Sequence, residues 1–342
     1  MHVRTQLLVA LLLAAALPSC GPLSGGGPSA RDGREVLRLG HGLDPSHPVH
    51  RAMEAMADEL ARRTGGRLRL EIFPSEQLGS ERELLELLQI GSVELTKVSA
   101  SVLESFAPSF RVLGVPYLFD DTEHQWRVLE GPVGDRLLAS PEAVRLRGLA
   151  FYDAGARSFY TRDRPIRTPE DLAGLKIRTQ ESPSAIAMVR ALGGNATPIS
   201  WGELYTALQQ GVVDGAENNP PSFHLSHHYE VARFYSLDEH TAVPDVLLAS
   251  TALWKRLGAA DREHLLAAAR HSARIQRRLW KEASDEALRA VREAGVQVDT
   301  VDKAPFARRT AALRDELARE PEMAELLEAI EAQRLAVTEA LP

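Results

Sequence analysis

Residues 67–73 have the sequence RLRLEIF, in which charged and apolar side chains alternate as they do along a half-buried β-strand. The segment before this stretch carries apolar residues at spacings of three and four from Val49 to Leu60, which is the period of an α-helix with one buried face. Gly65 and Gly66 lie between the two segments and predict the end of the helix. The sequence therefore predicts a helix that leads directly into a strand.

The alternation of strands and helices continues on both sides of this pair. Residues 36–41 and 93–99 are typical of strands, and Ser80 with Glu83 predicts a capping box at the start of a leucine-rich helix. The resulting order β-α-β-α-β predicts a parallel sheet with helical crossovers. Because ligands of such sheets bind at the carboxyl ends of the strands, we expect a binding site in the loops that follow these strands.

The pattern restarts in the second half of the chain. Segments at 149–152, 158–161 and 176–178 are strand-like and are followed by helical segments, and 246–250 is one further strand. A long helical stretch then extends from Asp261 to about Ala294. Two α/β units and a long helix predict an α/β fold of two lobes with a ligand cleft between them, and such clefts close on small ligands by hinge motion.

The first residues predict export. Residues 1–20 combine a basic start with an apolar run too short to span a membrane, and they end in Leu17-Pro18-Ser19-Cys20, which resembles a bacterial lipobox. We predict a signal peptide with a lipidated Cys20, followed by a flexible tether over residues 21–34. The alternative is plain cleavage nearby, with Cys20 incidental. Both interpretations place the protein in the periplasm or otherwise outside the cytoplasm. Only the first adds contact with a membrane, through the lipid anchor at Cys20.

Composition and motifs exclude several function classes. The net charge is −7 with acidic and basic residues interspersed, which is not the footprint of a nucleic-acid-binding protein. Cys20 is the only cysteine, so the mature domain has neither a disulfide nor a thiolate metal site. The sequence contains no phosphate-binding loop, no dinucleotide-binding glycine motif and no serine-hydrolase motif. We therefore predict no cofactor and no catalytic residue.

Three histidines, His41, His47 and His50, are candidates for a metal site. No carboxylate lies near them at the spacing of known zinc motifs. We interpret these residues as the start of a helix with two surface histidines, and we predict that the protein binds no metal.

Arginine and asparagine side chains at strand ends are the best candidates for ligand binding. Arg178 ends a short strand of the second α/β unit, and Arg157 lies between two strand-like segments. A guanidinium group clamps a carboxylate through two parallel hydrogen bonds. Asn218 and Asn219 end another strand before a double proline, where their amides either bind a ligand or form an ordinary turn. Spacing alone does not decide between these roles.

Three motifs resemble the DctP-type solute-binding proteins of TRAP (tripartite ATP-independent periplasmic) transporters, and they occur in the family's order. They are FPSEQLG at 73–79, DLAGLKIR at 171–178 and WGELYTALQQGVVDGAEN at 201–218. The resemblance extends from about residue 37 to about residue 269 and implies a two-lobed periplasmic binding protein fold with a long hinge-spanning helix. It also implies uptake of organic acids through separate integral membrane subunits.

On this fold we predict lobe I over residues 35–155 plus about 243–283, and lobe II over residues 156–242 plus about 284–342. The resemblance also implies roles for individual residues. Arg178 matches the arginine that pairs with the ligand carboxylate, Arg157 matches a second arginine that assists it, and Asn218 matches an asparagine that contacts the same group. Trp201 matches an aromatic residue that packs against the ligand.

The ligand is predicted from the other polar residues of the cleft. Sialic-acid binders of the family carry Asp and Glu where this sequence has Glu81 and Ser99, which argues against sialic acid. Lys97 shares a strand face with Ser99 and adds a cation, so a C4-dicarboxylate is one candidate. We favour a sugar acid such as a hexuronate, because residues 217–223 and 236–240 resemble members associated with hexuronates and because many hydroxyl partners are present. These predicted partners are Glu81, Glu217, Asn218, Asn219, His41 and His240.

The sequence therefore predicts an extracytoplasmic receptor that delivers a small organic acid to the membrane subunits of a TRAP transporter, and it does not predict an enzyme. Among binding proteins, the alternative is a receptor for a two-component sensor. From another class, the alternative is an exported hydrolase of uronate polymers, which would require a paired acid and base in the cleft.

Overall fold

The computed structural model of the protein describes residues 34–338; the predicted signal peptide, Cys20 and nearly all of the predicted tether lie outside the described residues. The described chain forms two β-sheets covered by helices. Its strands, in chain order, are β1 (Glu35–Gly40), β2 (Leu68–Phe73), β3 (Leu95–Ser99), β4 (Leu146–Tyr152), β5 (Arg157–Thr161), β6 (Lys176–Thr179), β7 (Asn195–Pro198), β8 (Gly215–Asn218), β9 (Phe234–Thr241), β10 (Asp245–Ser250) and β11 (Gln297–Thr300).

The helices range from single turns to one of 35 residues. The α-helices are α1 (Pro48–Arg63), α2 (Glu81–Gln89), α3 (Ala100–Leu103), α4 (Thr122–Leu129), α5 (Pro132–Ala139), α6 (Pro183–Ala191), α7 (Leu204–Gln209), α8 (Pro220–Leu225), α9 (Thr251–Arg256), α10 (Ala259–Glu293), α11 (Ala304–Leu317) and α12 (Pro321–Thr338). Short 3₁₀ helices occupy Pro108–Gly114, Ser140–Val144, Pro169–Leu172 and His228–Glu230.

Each lobe is built on one sheet. The first sheet has the strand order β2-β1-β3-β10-β4, in which β1 pairs in parallel with β2 and β3, while β10 is antiparallel to β3 and β4. The predicted parallel β-α-β-α-β unit is thereby confirmed. The second sheet has the order β11-β9-β5-β8-β6-β7, with β6 parallel to both β7 and β8. The chain passes from one lobe to the other after β4 and returns after β9. These two connections, residues 153–156 and 242–244, are short.

Helix α10 spans both lobes, as the sequence predicted. Leu265, Ala269 and Trp280 pack into the apolar core of the first lobe, against α1 and β4. Val291, near the end of the helix, packs instead into the core of the second lobe. A rigid helix shared by two cores leaves the strand connections as the positions where the lobes hinge.

The last helix departs from the predicted division of the chain. The sequence prediction assigned residues 284–342 to lobe II, but α12 packs on α4 and α5 of the first lobe. Its Met323, Leu326, Leu327 and Ile330 follow helical spacing and are buried in the core of the first lobe. Helix α11 does remain with the second lobe through Phe306. The chain therefore returns to the first lobe once more after α11.

Local capping explains which helix starts were predictable. Ser80 and Glu83 form the predicted capping box at α2, with hydrogen bonds in both directions. Ser200 and Glu203 have the same spacing, but the Ser200 hydroxyl donates to the Glu203 carboxylate at 2.9 Å and α7 begins only at Leu204. The turn that precedes α7 lines a cavity between the two lobes.

Between residues 34 and 338, no helix has both the length and the apolar character needed to cross a membrane.

Candidate ligand-binding site

A cavity lies between the two lobes and contains about 680 Å³ of empty space, part of it open to solvent. Eight of the predicted ligand-binding residues line it, together with residues that the sequence did not single out. The predicted residues at the cavity are Glu81, Lys97, Ser99, Arg157, Arg178, Trp201, Asn218 and Asn219.

The strand order brings the second-lobe residues together. Strands β5, β8 and β6 are neighbours in the second sheet, and they carry Arg157, Asn218 and Arg178 respectively. Asn218 pairs with Ser158, the neighbour of Arg157, and Arg178 lies opposite Ala216, two residues before Asn218. Residues far apart in the chain therefore meet at one edge of the sheet.

Arg178 is a buried cation without an ion partner in the described chain. Arg178 is only 2% exposed, and its Nε donates a hydrogen bond to the Ile199 carbonyl oxygen at 2.8 Å. The Nη1 atom is buried and has no hydrogen-bond partner among the described residues. Burial lowers the pKa of Arg178. An unpaired buried charge costs several kcal/mol, so this position is suited to an anion supplied from outside.

Trp201 lies beside this cation. The centre of its ring is 5.9 Å from the guanidinium carbon of Arg178, within the range of a cation–π interaction. The ring also packs against the apolar cores of both lobes. Trp201 therefore provides a flat apolar wall next to the unpaired guanidinium group.

Arg157, in contrast, is already neutralised. Its Nε and Nη2 bind the two carboxylate oxygens of Glu217, the Nη2–Oε1 distance being 2.9 Å, and its Nη1 donates to Asn218 Oδ1 at 3.0 Å. Behind this pair, His240 lies between Glu217 and Asp238, at 3.4 Å from one carboxylate and 2.8 Å from the other. The four charged side chains form a buried network with no net charge when His240 is protonated.

This network fixes the protonation of its members. Burial alone would raise the pKa of Glu217, but Arg157 and His240 lower it to about 2. Burial would lower the pKa of His240, but Asp238 and Glu217 raise it to about 9. The network therefore keeps Glu217 ionised and His240 positively charged at neutral pH.

We predict that the unliganded protein loses stability as the pH rises from 6.5 to 9, because the folded pKa of His240 is about 9 and its usual value is 6.5. The contribution of His240 is complete below the unfolded pKa and is lost as the pH passes the folded pKa, a change of roughly 3 kcal/mol. Urea unfolding across this interval measures it. His240→Gln should flatten the profile, and equal pH slopes in the two proteins would contradict the assignment.

Lys97 is the third cation at the cavity, and it is also paired. It is 3% exposed, and its Nζ lies 3.1 Å from Glu81 Oε1 and 3.1 Å from Asp245 Oδ2. The sequence predicted that Lys97 adds a cation to the cleft and, with Arg178 and Arg157, could hold a dicarboxylate. Two carboxylates hold it instead, because β10 places Asp245 beside β3 and the start of α2 places Glu81 above it.

Three predicted ligand contacts lie behind the cavity wall. Glu217 and His240 are engaged in the network around Arg157, and neither lines the inter-lobe cavity. His41 is fully buried; its Nε2 is 3.0 Å from His50 Nδ1 and its Nδ1 accepts from the Leu43 amide. Alternation along a strand identifies a polar residue but not the partner that already occupies it.

The predicted surface histidines are buried. His41, His47 and His50 are each at most 8% exposed, because the loop after β1 folds inward at the start of α1. Burial, followed by the charge of Lys97, lowers the pKa of His41 to about 2 and that of His47 to about 3. In the described part of the chain no three His, Cys, Asp or Glu residues are grouped so that they could hold a metal ion.

Sequence reasoning missed several residues of the cavity, chiefly His47, Gln180 and Trp280. His47 caps α1, and its ring centre is 5.7 Å from that of Trp280. Gln180 follows β6 directly and accepts a hydrogen bond from Ser99 of the other lobe at 3.3 Å. His47 and Gln180 lie after strands, where ligand contacts were expected. Trp280 lies within α10, and no local signal distinguishes it.

Further hydrogen bonds join the lobes around the cavity. Glu76 Oε1 accepts from the Gly202 amide at 3.2 Å. Glu104 Oε1 accepts from the Ser182 hydroxyl at 2.6 Å and from the Ser184 amide at 2.8 Å, so a side chain of the first lobe caps α6 of the second. These contacts hold the two walls of the cavity against each other.

Several known proteins resemble this protein in both fold and sequence. The family profile described as "Bacterial extracellular solute-binding protein, family 7", DctP, matches residues 39–320. A TRAP periplasmic solute-binding protein from Bradyrhizobium sp. BTAi1, in complex with α/β-D-galacturonate, is 39% identical, with a TM-score of 0.86 over 87% of this chain and 100% of that chain.

Curated relatives differ in the solute that their names give. The 2,3-diketo-L-gulonate-binding periplasmic protein YiaO of Escherichia coli K12 is 32% identical over 87% of this chain and 92% of YiaO. The C4-dicarboxylate-binding periplasmic protein DctP of Rhodobacter capsulatus is 33% identical over 76% of this chain and 78% of that protein. The resemblance inferred from three motifs and the predicted two-lobed fold are confirmed. The chain belongs to the DctP family, family 7 of the bacterial extracellular solute-binding proteins.

Proposed function

We propose that the protein is an extracytoplasmic receptor that binds a hexuronate in the inter-lobe cavity and delivers it to the membrane subunits of a TRAP transporter. The observation that carries this proposal is the buried, unpaired guanidinium group of Arg178. A ligand carboxylate at this position would complete a charge pair that the described chain leaves open. The galacturonate bound to the Bradyrhizobium relative supports a hexuronate as that ligand.

The residues around Arg178 suit the rest of a sugar acid. Asn218 carries an amide at the edge of the carboxylate position, and Trp201 offers an apolar face on which a sugar ring stacks. Glu81, Asn219 and His47 add hydrogen-bonding groups for ring hydroxyls. A single carboxylate group and several hydroxyl groups therefore match the polar groups of the cavity.

Ligand binding would also hold the lobes together. Arg178 and Trp201 belong to the second lobe, whereas Glu81 and Lys97 belong to the first. A ligand that contacts both walls stabilises the closed arrangement at the expense of open ones. We propose that the closed arrangement is the form that docks on the transporter, and that the protein performs no chemistry on its ligand. Glu81 and Asp245 both bind Lys97, an arrangement that does not favour a hydrolytic acid–base pair.

A C4-dicarboxylate is the second candidate, because the Rhodobacter relative is named for such ligands. It would require two cations with free hydrogen-bonding capacity. Arg157 and Lys97 are both held by carboxylates, so Arg178 is the cation that remains for a ligand within the described cavity. The charge pattern therefore favours a monocarboxylate.

We predict that D-galacturonate or D-glucuronate raises the melting temperature of residues 34–342 by several degrees at millimolar concentration, because a ligand that binds only the folded state stabilises it by mass action. A thermal-shift series with both uronates, L-malate and succinate measures this. A shift with malate or succinate alone would overturn the hexuronate and keep the receptor. No shift with any of these acids would overturn the carboxylate site itself.

A further inference from the structure

The Lys97 cluster is a group of three charged side chains on the first-lobe wall of the cavity, namely Lys97, Glu81 and Asp245. Lys97 extends from β3, and Asp245 begins the adjacent antiparallel strand opposite Ser99, two residues along. The two side chains therefore share one face of the sheet as diagonal neighbours. Glu81, at the first position of α2, completes the cluster and also accepts a hydrogen bond from the Ser99 amide at 3.1 Å. All three residues line the cavity.

The charge of the cluster decides what it can bind. One ammonium group lies between two carboxylates, each at 3.1 Å, so the fully ionised cluster has a net charge of −1. Burial and the neighbouring Glu81 raise the pKa of Asp245, while Lys97 opposes them. If one carboxylate takes up a proton, the net charge becomes zero. In neither state does the cluster have the positive charge that a second ligand carboxylate requires.

The hydrogen-bonding atoms of the cluster also favour a hydroxyl group over a second ligand carboxylate. The second oxygens, Glu81 Oε2 and Asp245 Oδ1, have no hydrogen-bond partner among the described residues. Ionised carboxylate oxygens only accept hydrogen bonds, whereas a sugar hydroxyl can donate one. A hydroxyl group placed here gains a charge-assisted hydrogen bond, whereas an ionised carboxylate would face two like charges.

The opposite wall cannot accept a second carboxylate either. Arg157 is bound through two nitrogens to Glu217, and Asn218 takes a hydrogen bond from its third. Arg178 would already be paired with the first carboxylate of the ligand. Within the described cavity, the groups that remain to meet the far end of the ligand are therefore acceptors and neutral donors.

We propose that the Lys97 cluster is a specificity filter that admits sugar acids with one carboxylate and rejects aldarates, the diacids in which both ends of the same carbon chain are oxidised. This inference rests on the proposed function and adds a selection rule to it. A uronate and its aldarate differ in the charge at one end, so a filter of this kind separates molecules that share almost every other group. The structure assigns the selecting role to Glu81 and Asp245.

Calorimetric titration of residues 34–342 with D-galacturonate, D-galactonate and galactarate tests the filter. Galactonate is a linear monoacid and differs from galactarate only at the second carboxylate, so it separates the effect of charge from that of ring shape. We expect wild-type protein to bind galactarate at least about 100-fold more weakly than galacturonate, corresponding to two tenfold steps in the dissociation constant. Galactonate should bind more tightly than galactarate.

Asp245→Asn and Glu81→Gln each remove one negative charge from the cluster with little change in shape. Either variant should tighten galactarate binding at least about tenfold while galacturonate binding stays equal or weakens. Two variants are used because Asp245 is more deeply buried, and thermal unfolding verifies that each one folds. Glu263→Gln is the matched control, because Glu263 is an exposed carboxylate of α10 that is not among the residues lining the cavity. Its galactarate affinity should change less than about threefold.

Equal wild-type affinities for galacturonate and galactarate would overturn the filter while leaving the proposed receptor intact. The filter would also be overturned if Glu263→Gln tightened galactarate binding as much as the cluster variants do, because the net charge of the protein would then explain the effect. Failure of both cluster variants to gain galactarate binding would also overturn it. If the wild-type protein bound no sugar acid at all, the proposed function and the filter would fall together.

Discussion

Arg178→Ala should weaken D-galacturonate binding by about 3 to 4 kcal/mol, which is a loss of roughly 100- to 1,000-fold in affinity. The ligand carboxylate would then be buried without a charged partner, and burial is what makes that loss large. The same change should not lower the unfolding free energy of the unliganded protein by more than about 1 kcal/mol, because it removes a buried cation that has no ion partner in the described chain. Calorimetric titration and urea unfolding measure the two effects.

The control for this prediction is Arg190→Ala, which removes an exposed guanidinium group from the last turn of α6 in the same lobe. Its affinity for galacturonate should match that of the wild type. Arg178→Lys retains the charge but not the planar fork, so it should fall between wild type and Arg178→Ala. If Arg178→Ala bound galacturonate as tightly as the wild type, the carboxylate would lie elsewhere.

Glu217→Gln should destabilise the unliganded protein by about 3 to 5 kcal/mol, the usual effect of breaking a buried ion pair from one side. Arg157 and His240 would both lose their shared carboxylate, and each is buried. His240 should then release its proton near neutral pH, since Glu217 is one of the two carboxylates that raise its pKa. Urea unfolding at neutral pH, with a parallel pH series, measures both consequences.

Glu263→Gln, on an exposed position of α10, provides the matched loss of one carboxylate and should change stability by less than about 0.5 kcal/mol. The prediction also separates two roles for Glu217. The sequence suggested that it contacts the ligand, whereas the structure surrounds it with Arg157 and His240. If Glu217→Gln kept its stability but lost galacturonate affinity, the ligand role would be correct and the structural role wrong.

Much of the fold was predictable because local signals agree with tertiary packing. Strand alternation at 67–73, helical spacing from Val49 and the capping box at Ser80 each point to elements that the structure contains at those positions. Helix α10 was equally clear as a long helical stretch. The placement of α12 was not predictable, because its apolar residues identify a buried face but not the lobe against which that face packs.

The candidate site also has features that the sequence could predict and others that it could not. Arg178, Asn218 and Lys97 were found because strand ends and strand faces are encoded locally. The ion partners of the cavity cations are not encoded locally. Those of Lys97 lie 16 positions before it and 148 positions after it in the chain. The pairing of Glu217 with Arg157 and of His240 with Asp238 was not predictable for the same reason. A pattern reveals that a polar side chain is buried, whereas only the three-dimensional structure shows which charge already balances it.

The central claim is that Arg178 receives the carboxylate of a hexuronate, and a crystal structure of residues 34–342 grown with D-galacturonate tests it most directly. The account predicts the sugar between the lobes, with a carboxylate oxygen about 3 Å from Arg178 Nη1, the ring against Trp201 and hydroxyl groups toward Glu81 and Asp245. The reverse orientation, with ring hydroxyls at Arg178 and the carboxylate in solvent or at Lys97, would contradict it.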